Sequence, residues 1–438
     1  MKRLWCLLSL ACAPAWAVEA ADPMLPPAEL VLRAVSEVPE VRGAEAGLAR
    51  ADAQARMRAS GSYETQLTLI PQQRRVPGDR NYNEWEMDLT RSVRLPSKVR
   101  LDREIGASGQ QAAQLGLEDA HHAAARHLLA YWSDWQRARV ERQQWEQLVA
   151  IAQRDRDAVA RRVELGDAAV RDRLAVEALL AQAQAALARA QSAQTQAELA
   201  WNSSFTRLPL PQREPLADYT PPALEGSDEG WVGQIVARSH EIGATAALAR
   251  QKDAQARRAR ADRLPDPTVG IRVLNDRNGR ERAYGLVVGI PLGGSYRRAE
   301  AASTAADAQL AEAELSLVQR DIERQARSEV AAARAQREIW QRQREARDAA
   351  REHAGKAARA YALGESGMAE LLAARRIEQE AVLAERQAAI DALEAVARVQ
   401  VDAHARWHRH DDADDAAAGD TPSAAGIRLP ALGNQAGR

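Results

Sequence analysis

The chain has 438 residues, only 4% of them aromatic and one of them Phe, which excludes a set of conventional bulky cores and leaves a core that is thin or lined by Ala. Charged residues make up 28%, yet the formal net charge is −1, which excludes nucleic-acid binding through a basic surface.

The first element is an expected export signal over residues 1–17: Lys2 and Arg3, an apolar run from Leu4 to Ala13, then Ala15-Trp16-Ala17 as a small-x-small cleavage site. Cys6 and Cys12, the only cysteines, both fall in this segment, so the processed chain is read as free of thiols and disulfides. Cys12 as a lipidated first residue is the rival reading, although Ser9-Leu10-Ala11 fits a lipobox poorly. Beyond residue 18 no apolar run reaches the roughly 20 residues of a transmembrane helix, so any crossing of a membrane must use strands.

A helix is expected from about Pro27 to Ala59, rich in Ala and Arg. Tyr63 to Ile70 then alternates, with Tyr63, Thr65, Leu67 and Leu69 on one face. After the polar loop "PQQRRVPGDRNYN", a second strand is expected over Trp85 to Leu95, with Trp85, Met87, Leu89, Val93 and Leu95 on one face and Arg91 as its exception. Pro96 ends the strand, and Lys98 to Glu164 is one helical run, a rod roughly 100 Å long at about 1.5 Å per residue. Within it Ala124, Leu128, Tyr131, Trp135, Ala138, Arg142, Trp145, Val149 and Ala152 follow steps of four and three, a seam suited to lateral helix packing. Gly166, in "VELGDAAVRDRLAVEA", stops the rod, because glycine reaches positive φ cheaply, and a further helix follows.

The same order then recurs about two hundred residues later. "GLARADAQARMR" returns as "ALARQKDAQARR", alternating strands fall at Val269 to Val273 and Tyr284 to Ile290, Pro291 ends the second of these, and helix from Gly294 to Leu363 stops at Gly364 in "YALGESGMAELLAARR". The chain is therefore read as residues 18–206 for the first repeat, 207–230 as a Pro-rich link, 231–410 for the second repeat and 411–438 as a disordered acidic tail. In each repeat the two shorter helices sum to about the length of the long one. Each chain thus offers four columns and four strands, and four strands are too few to close a membrane barrel without other chains. In "HARWHRHDDADD", His404 and His408 are expected i, i+4 on a helix, where they could share a metal ion, and with His410 they are candidate metal ligands. No enzyme motif is found: "HEIGA" lacks the second histidine of a zinc protease, and "GIPLGGSYRR" lacks the P-loop lysine pattern. No cofactor is implied.

The duplicated unit, the strand-to-helix junctions "VRLPSKVRLDREIGAS" and "VGIPLGGSYRRAEAAS", and the glycine turns followed by "DRLAVEALL" and "AELLAARRIE" resemble those of the TolC-like outer membrane efflux proteins over residues 28–406. The resemblance implies a mainly α fold with a small β part: a long α-helical tunnel, and four strands contributed to a trimeric twelve-stranded outer membrane barrel. It implies a passive duct in the outer membrane with most of the chain in the periplasm. Implied partners are two further copies of the chain, outer membrane lipid, a periplasmic adaptor (membrane fusion) protein and an inner-membrane pump. Gly166, Asp167, Gly364 and Glu365 would lie in the tips, residues 163–169 and 361–367, that meet the adaptor. Glu370, with Asp172 at the matching place in the first repeat, would help constrict the tunnel, and Ala373 stands where the family pattern has a second carboxylate. The histidine-rich end hints at the heavy-metal branch. A periplasmic adaptor and a soluble coiled-coil scaffold are the alternatives; the first would need one hairpin beside a β-rich domain, the second would have no use for alternating strands.

Overall fold

The computed structural model describes residues 22–211 and 219–408; the expected export signal, Cys6, Cys12, His410 and the acidic tail lie outside the described residues. Two short helices come first, α1 (Ala28–Val35) and α2 (Pro39–Ser60), followed by β1 (Gln66–Arg75) and β2 (Asn81–Ser92). The long α3 (Pro96–Glu164) and the returning α4 (Val170–Ser204) complete the first half. The second half runs α5 (Asp228–Arg238), α6 (His240–Ala261), β3 (Thr268–Asp276), β4 (Glu281–Gly289), α7 (Ser295–Leu363) and α8 (Met368–Asp402). The halves match element for element: α2 and α6 each have 22 residues, α3 and α7 each 69, α4 and α8 each 35.

The single helix expected over Pro27 to Ala59 is in fact two, because Pro39 has no N–H to continue the α1 ladder and Val38 before it takes an extended conformation. Its counterpart breaks at Ser239, whose side chain accepts a hydrogen bond from the Ile242 N–H and caps α6. The first strand also differs from expectation: it starts at Gln66 and runs through Pro71 to Arg75, into sequence read as loop. Polar side chains continue this strand because they pair across it, Gln72 with Glu84 at 3.2 Å and Gln73 with Asn83 at 3.1 Å. Tyr63 instead donates its hydroxyl to Asp266 at 2.9 Å.

The helices lie in columns. The α2 helix runs along the start of α3, where Gly106 lets the backbones approach: a Cβ there would sit 3.0 Å from the Ala55 Cα. Further along α3, Leu148, Val149 and Ala152 bury against Leu180 and Ala183 of α4. Alanine lines much of the remaining contact, with Ala354 and Ala357 of α7 against Ala374 of α8. The scarce aromatics are concentrated at mid-length, where Trp132, Trp135, Trp201 and Phe205 pack with Val31 and Val35 of α1. The Trp132 and Trp201 indoles satisfy their N–H groups on the Met24 and Leu208 carbonyls. Ala124, Leu128, Trp135, Val149 and Ala152 of the four-three seam are buried, and the buried face also takes in Leu129 and Trp132. Among the described residues no helix is long and apolar enough to cross a membrane.

Candidate functional site

The four strands form one antiparallel sheet in the order β1-β2-β3-β4, so β1 and β4 each have one edge unpaired within the chain. Register aligns the apolar positions into rows that cross the whole sheet. Leu67 faces Leu89, Leu89 faces Ile271 and Ile271 faces Leu286; the next row is Leu69, Met87, Val273 and Tyr284. These side chains are largely exposed, Leu286 to 85%. The opposite face carries Thr68, Asp88 and Arg272 in one row, and Arg272 pairs with both Asp88 and Glu86 at 2.9 Å. The sheet thus has an apolar side, a polar side and two edges that are open within the chain, and such edges call for further strands or a cover.

At the strand-to-helix junction Pro96 is the first residue of α3, a position that needs no N–H. Pro291 is placed differently: it lies in the irregular stretch between β4 and α7, and the turn into α7 is made at Gly293, φ 103°. Beside Pro96, the buried Lys98 ammonium reaches Asp262, Asp266 and the Leu264 carbonyl at 2.9, 2.9 and 2.8 Å. Burial alone would raise the Asp266 carboxyl, but hydrogen bonds from Lys98, Tyr63 and the Leu95 N–H outweigh it and hold it below the usual carboxylate range. Sequence reasoning missed this cluster, whose members lie in different halves of the chain.

Both glycine turns come together at the other end. Gly166 and Gly364 have φ of 79° and 78°, and the N–H of the residue after each, Asp167 and Glu365, bonds back to the carbonyl of Arg162 and Ala360 at 2.7 and 2.9 Å, the helix-ending loop that glycine favours. All four residues are exposed. Beneath them Val159 and Val176 of the first hairpin pack with Met368 and Leu371 of the second. Arg162 donates to the Tyr361 hydroxyl at 2.7 Å and lies over that ring. One turn or so inward, Arg375 of α8 forms an ion pair with Asp155 of α3, so the two hairpins are bolted together by charge as well as by packing. Glu370 is exposed, and Asp172 is half-buried with Arg171 as its ion-pair partner at 3.7 Å. The structure brings neither carboxylate to the other.

The expected helical spacing of His404 and His408 is overturned, since α8 ends at Asp402 and both His404 and Trp407 take positive φ, 55° and 54°. The hook still stacks the two imidazoles, with ring centroids 4.2 Å apart, and His240 from the start of α6 joins them at 4.6 Å from His404. His240 was missed as a member because "HEIGA" suggests only a failed protease motif. Burial first, then the neighbouring His408, His240 and His122 rings and Arg238, lowers the His404 pKa and keeps that ring neutral. Close by, Glu329 is pushed up to about 7 by burial and by Asp402.

No family model matches the sequence, and no curated protein matches it. Solved structures do match. A membrane protein from Pseudomonas aeruginosa superposes with a TM-score of 0.72 at 17% identity, over 87% of this chain and 90% of that one. The outer-membrane channel OprN gives 0.70 at 20% identity, over 88% and 91%. CusC, described for its transmembrane channel formation, gives 0.70 at 14%, over 86% and 91%. The fold is that of the TolC-like outer membrane efflux proteins. The TolC-like fold accounts for the whole duplicated arrangement: the sheet at one end, paired long and short helices, and both glycine turns at the other end.

Proposed function

We propose that this chain is the outer membrane channel-tunnel of a tripartite efflux system, a passive export duct formed by three copies. The observation that carries the proposal is the set of apolar rows crossing a four-stranded sheet with both edges open, at the end of helices long enough to span a periplasm. Three sheets joined edge to edge supply twelve strands, with the rows facing lipid and the Arg272, Asp88 and Glu86 face toward water. Strands of 9 to 12 residues suit a hydrocarbon core that takes about 9–11 residues of tilted strand. An apolar, exposed sheet face also counts against the soluble scaffold.

The repeats 18–206 and 231–410, linked by 207–230, would each form one hairpin of the wall, following export directed by residues 1–17. The tips carrying Gly166, Asp167, Gly364 and Glu365 would receive the hairpin of a periplasmic adaptor that joins the duct to an inner-membrane pump. Pro96 and Pro291 would mark where barrel becomes tunnel. Rings of three Glu370 and three Asp172 would favour cations, in keeping with divalent heavy-metal cargo as the narrower form of the proposal. The test is to purify the full chain from membranes and insert it in a planar lipid bilayer. Heat-modifiable trimers and discrete cation-preferring conductance steps are expected; a soluble, non-conducting chain overturns the proposal.

A further inference from the structure

Three imidazoles from two distant parts of the chain converge just beyond α8. Their nearest ligand nitrogens all lie within 4.8 Å of one another. Ordinary aromatic stacking would account for the ring contacts, but three features describe a built site. First, the hook that presents His404 and His408 uses two left-handed residues that are not glycine, a sterically costly conformation that concentrates where geometry serves a purpose. Second, the hook is anchored on both sides, Ala403 and Trp407 being buried in separate cores, while His240 is fixed as the first residue of α6. Third, His404 and His240 border a cavity of about 40 Å³ whose walls include His122 and the carboxylates of Asp119, Glu241, Glu329 and Asp402, room for about one water-sized ligand. The nearby guanidinium groups are engaged: Arg126 with Glu329 at 2.8 Å and Asp402 at 3.4 Å, Arg238 with the Ala403 carbonyl at 2.7 Å.

We propose that His240, His404 and His408 bind one divalent transition-metal ion per chain, with the fourth position filled by water or by a carboxylate of the adjoining cavity. The rings are now stacked, with 13° between the planes of His404 and His408 and 24° between those of His240 and His404, so binding turns them out of the stack until one nitrogen of each points at an ion roughly 2.0–2.1 Å away. A set of three imidazoles with oxygen as the fourth ligand selects zinc, copper(II), nickel or cobalt(II) over magnesium and calcium, which prefer oxygen alone. The ion would staple the start of α6 to the chain leaving α8. The site is independent of what the duct carries: it holds a resident ion whether or not metals are exported.

The test uses the full chain, purified in detergent and stripped of metal, titrated with cobalt(II) while its visible absorption is followed, then with zinc as competitor. One cobalt per chain with a tetrahedral spectrum, displaced by zinc, is expected. Removing residues 409–438 should leave this binding intact, which separates the site from His410 and the acidic run. His240→Ala should weaken it at least tenfold. Equal affinity in His240→Ala, loss of binding on tail removal, or no saturable binding in the full chain each overturns the proposal. If His240→Ala fails to fold, as judged by circular dichroism, the copper(II) spin-resonance spectrum of the unaltered chain decides: coupling to three nitrogens supports the site, and coupling to two or fewer overturns it.

Discussion

The Lys98 ammonium lies 2.9 Å from the Asp266 carboxylate, both almost fully buried, and this pair ties the first turn of α3 to the segment entering β3. It joins the two halves of the chain where helix gives way to strand. Asp266→Asn removes one of the two carboxylates on a buried cation, and because Asp262 still pairs with Lys98 at 2.9 Å the cost falls below the about 3–5 kcal/mol of a buried charge left wholly uncompensated. In detergent, the helical circular dichroism signal of the Asp266→Asn variant should melt earlier than that of the unaltered chain. Asp262→Asn, at a more exposed partner of the same lysine, should cost less.

The ion pair of Arg375 with Asp155 bolts α8 to α3 near the tips. If the tips close the duct, Arg375→Ala and Asp155→Asn should each raise single-channel conductance severalfold, and the double variant should conduct no more than either one. Exchanging the two residues should restore most of the closed state. Unchanged conductance in all variants would place closure elsewhere.

A Cβ at Gly166 or Gly364 would meet nothing within 4 Å, so substitution there is resisted by the backbone alone, through φ near 79° and 78°. Gly→Ala at either turn should cost about 1–2 kcal/mol, and Gly→Asn less. Denaturant titration with the slope held constant measures both.

Leu89 sits inside a row shared with Leu67, Ile271 and Leu286. If the apolar rows face lipid as proposed, Leu89→Arg places a charge there, at about 2–4 kcal/mol near the middle of a bilayer, and heat-resistant oligomers in the outer membrane fraction should fall sharply. Thr68→Arg, on the other face, should assemble normally.

Glu329 accepts from Arg126 at 2.8 Å, and from Gln325 and Arg398 at 3.0 Å, and faces Asp402. Its folded pKa of about 7 exceeds the ordinary 4.5, so the folded chain holds this proton after the unfolded chain has released it. The resulting stability is complete below about pH 4.5 and is lost as pH rises through 7, by at most about 1.4 kcal/mol per pH unit. Glu329→Gln should flatten the melting temperature between those limits.

The long helices, both glycine turns and the alternating strands were legible in the sequence because each is local and periodic. Trp85, Met87 and Leu89 announce their face by spacing alone. Pro71 and Gln72 concealed the rest of β1, since a strand continued by polar cross-strand pairs has no hydrophobic period to read. The bend at Trp407 concealed how His404 and His408 meet. Lys98 with Asp266, Arg375 with Asp155 and His240 with His404 are brought together only by tertiary folding, and nothing in either neighbourhood along the chain names the other.

The equal 69-residue spans of α3 and α7 make the two hairpins a shared ruler. An insertion of seven residues in one of them would push its tip roughly 10 Å beyond the other, pulling Val159 and Val176 off Met368 and Leu371. Length variation in such a chain must therefore arrive in matched pairs, one in each half, with compensating changes in the returning helices. A library of insertions would recover survivors along that diagonal and few off it.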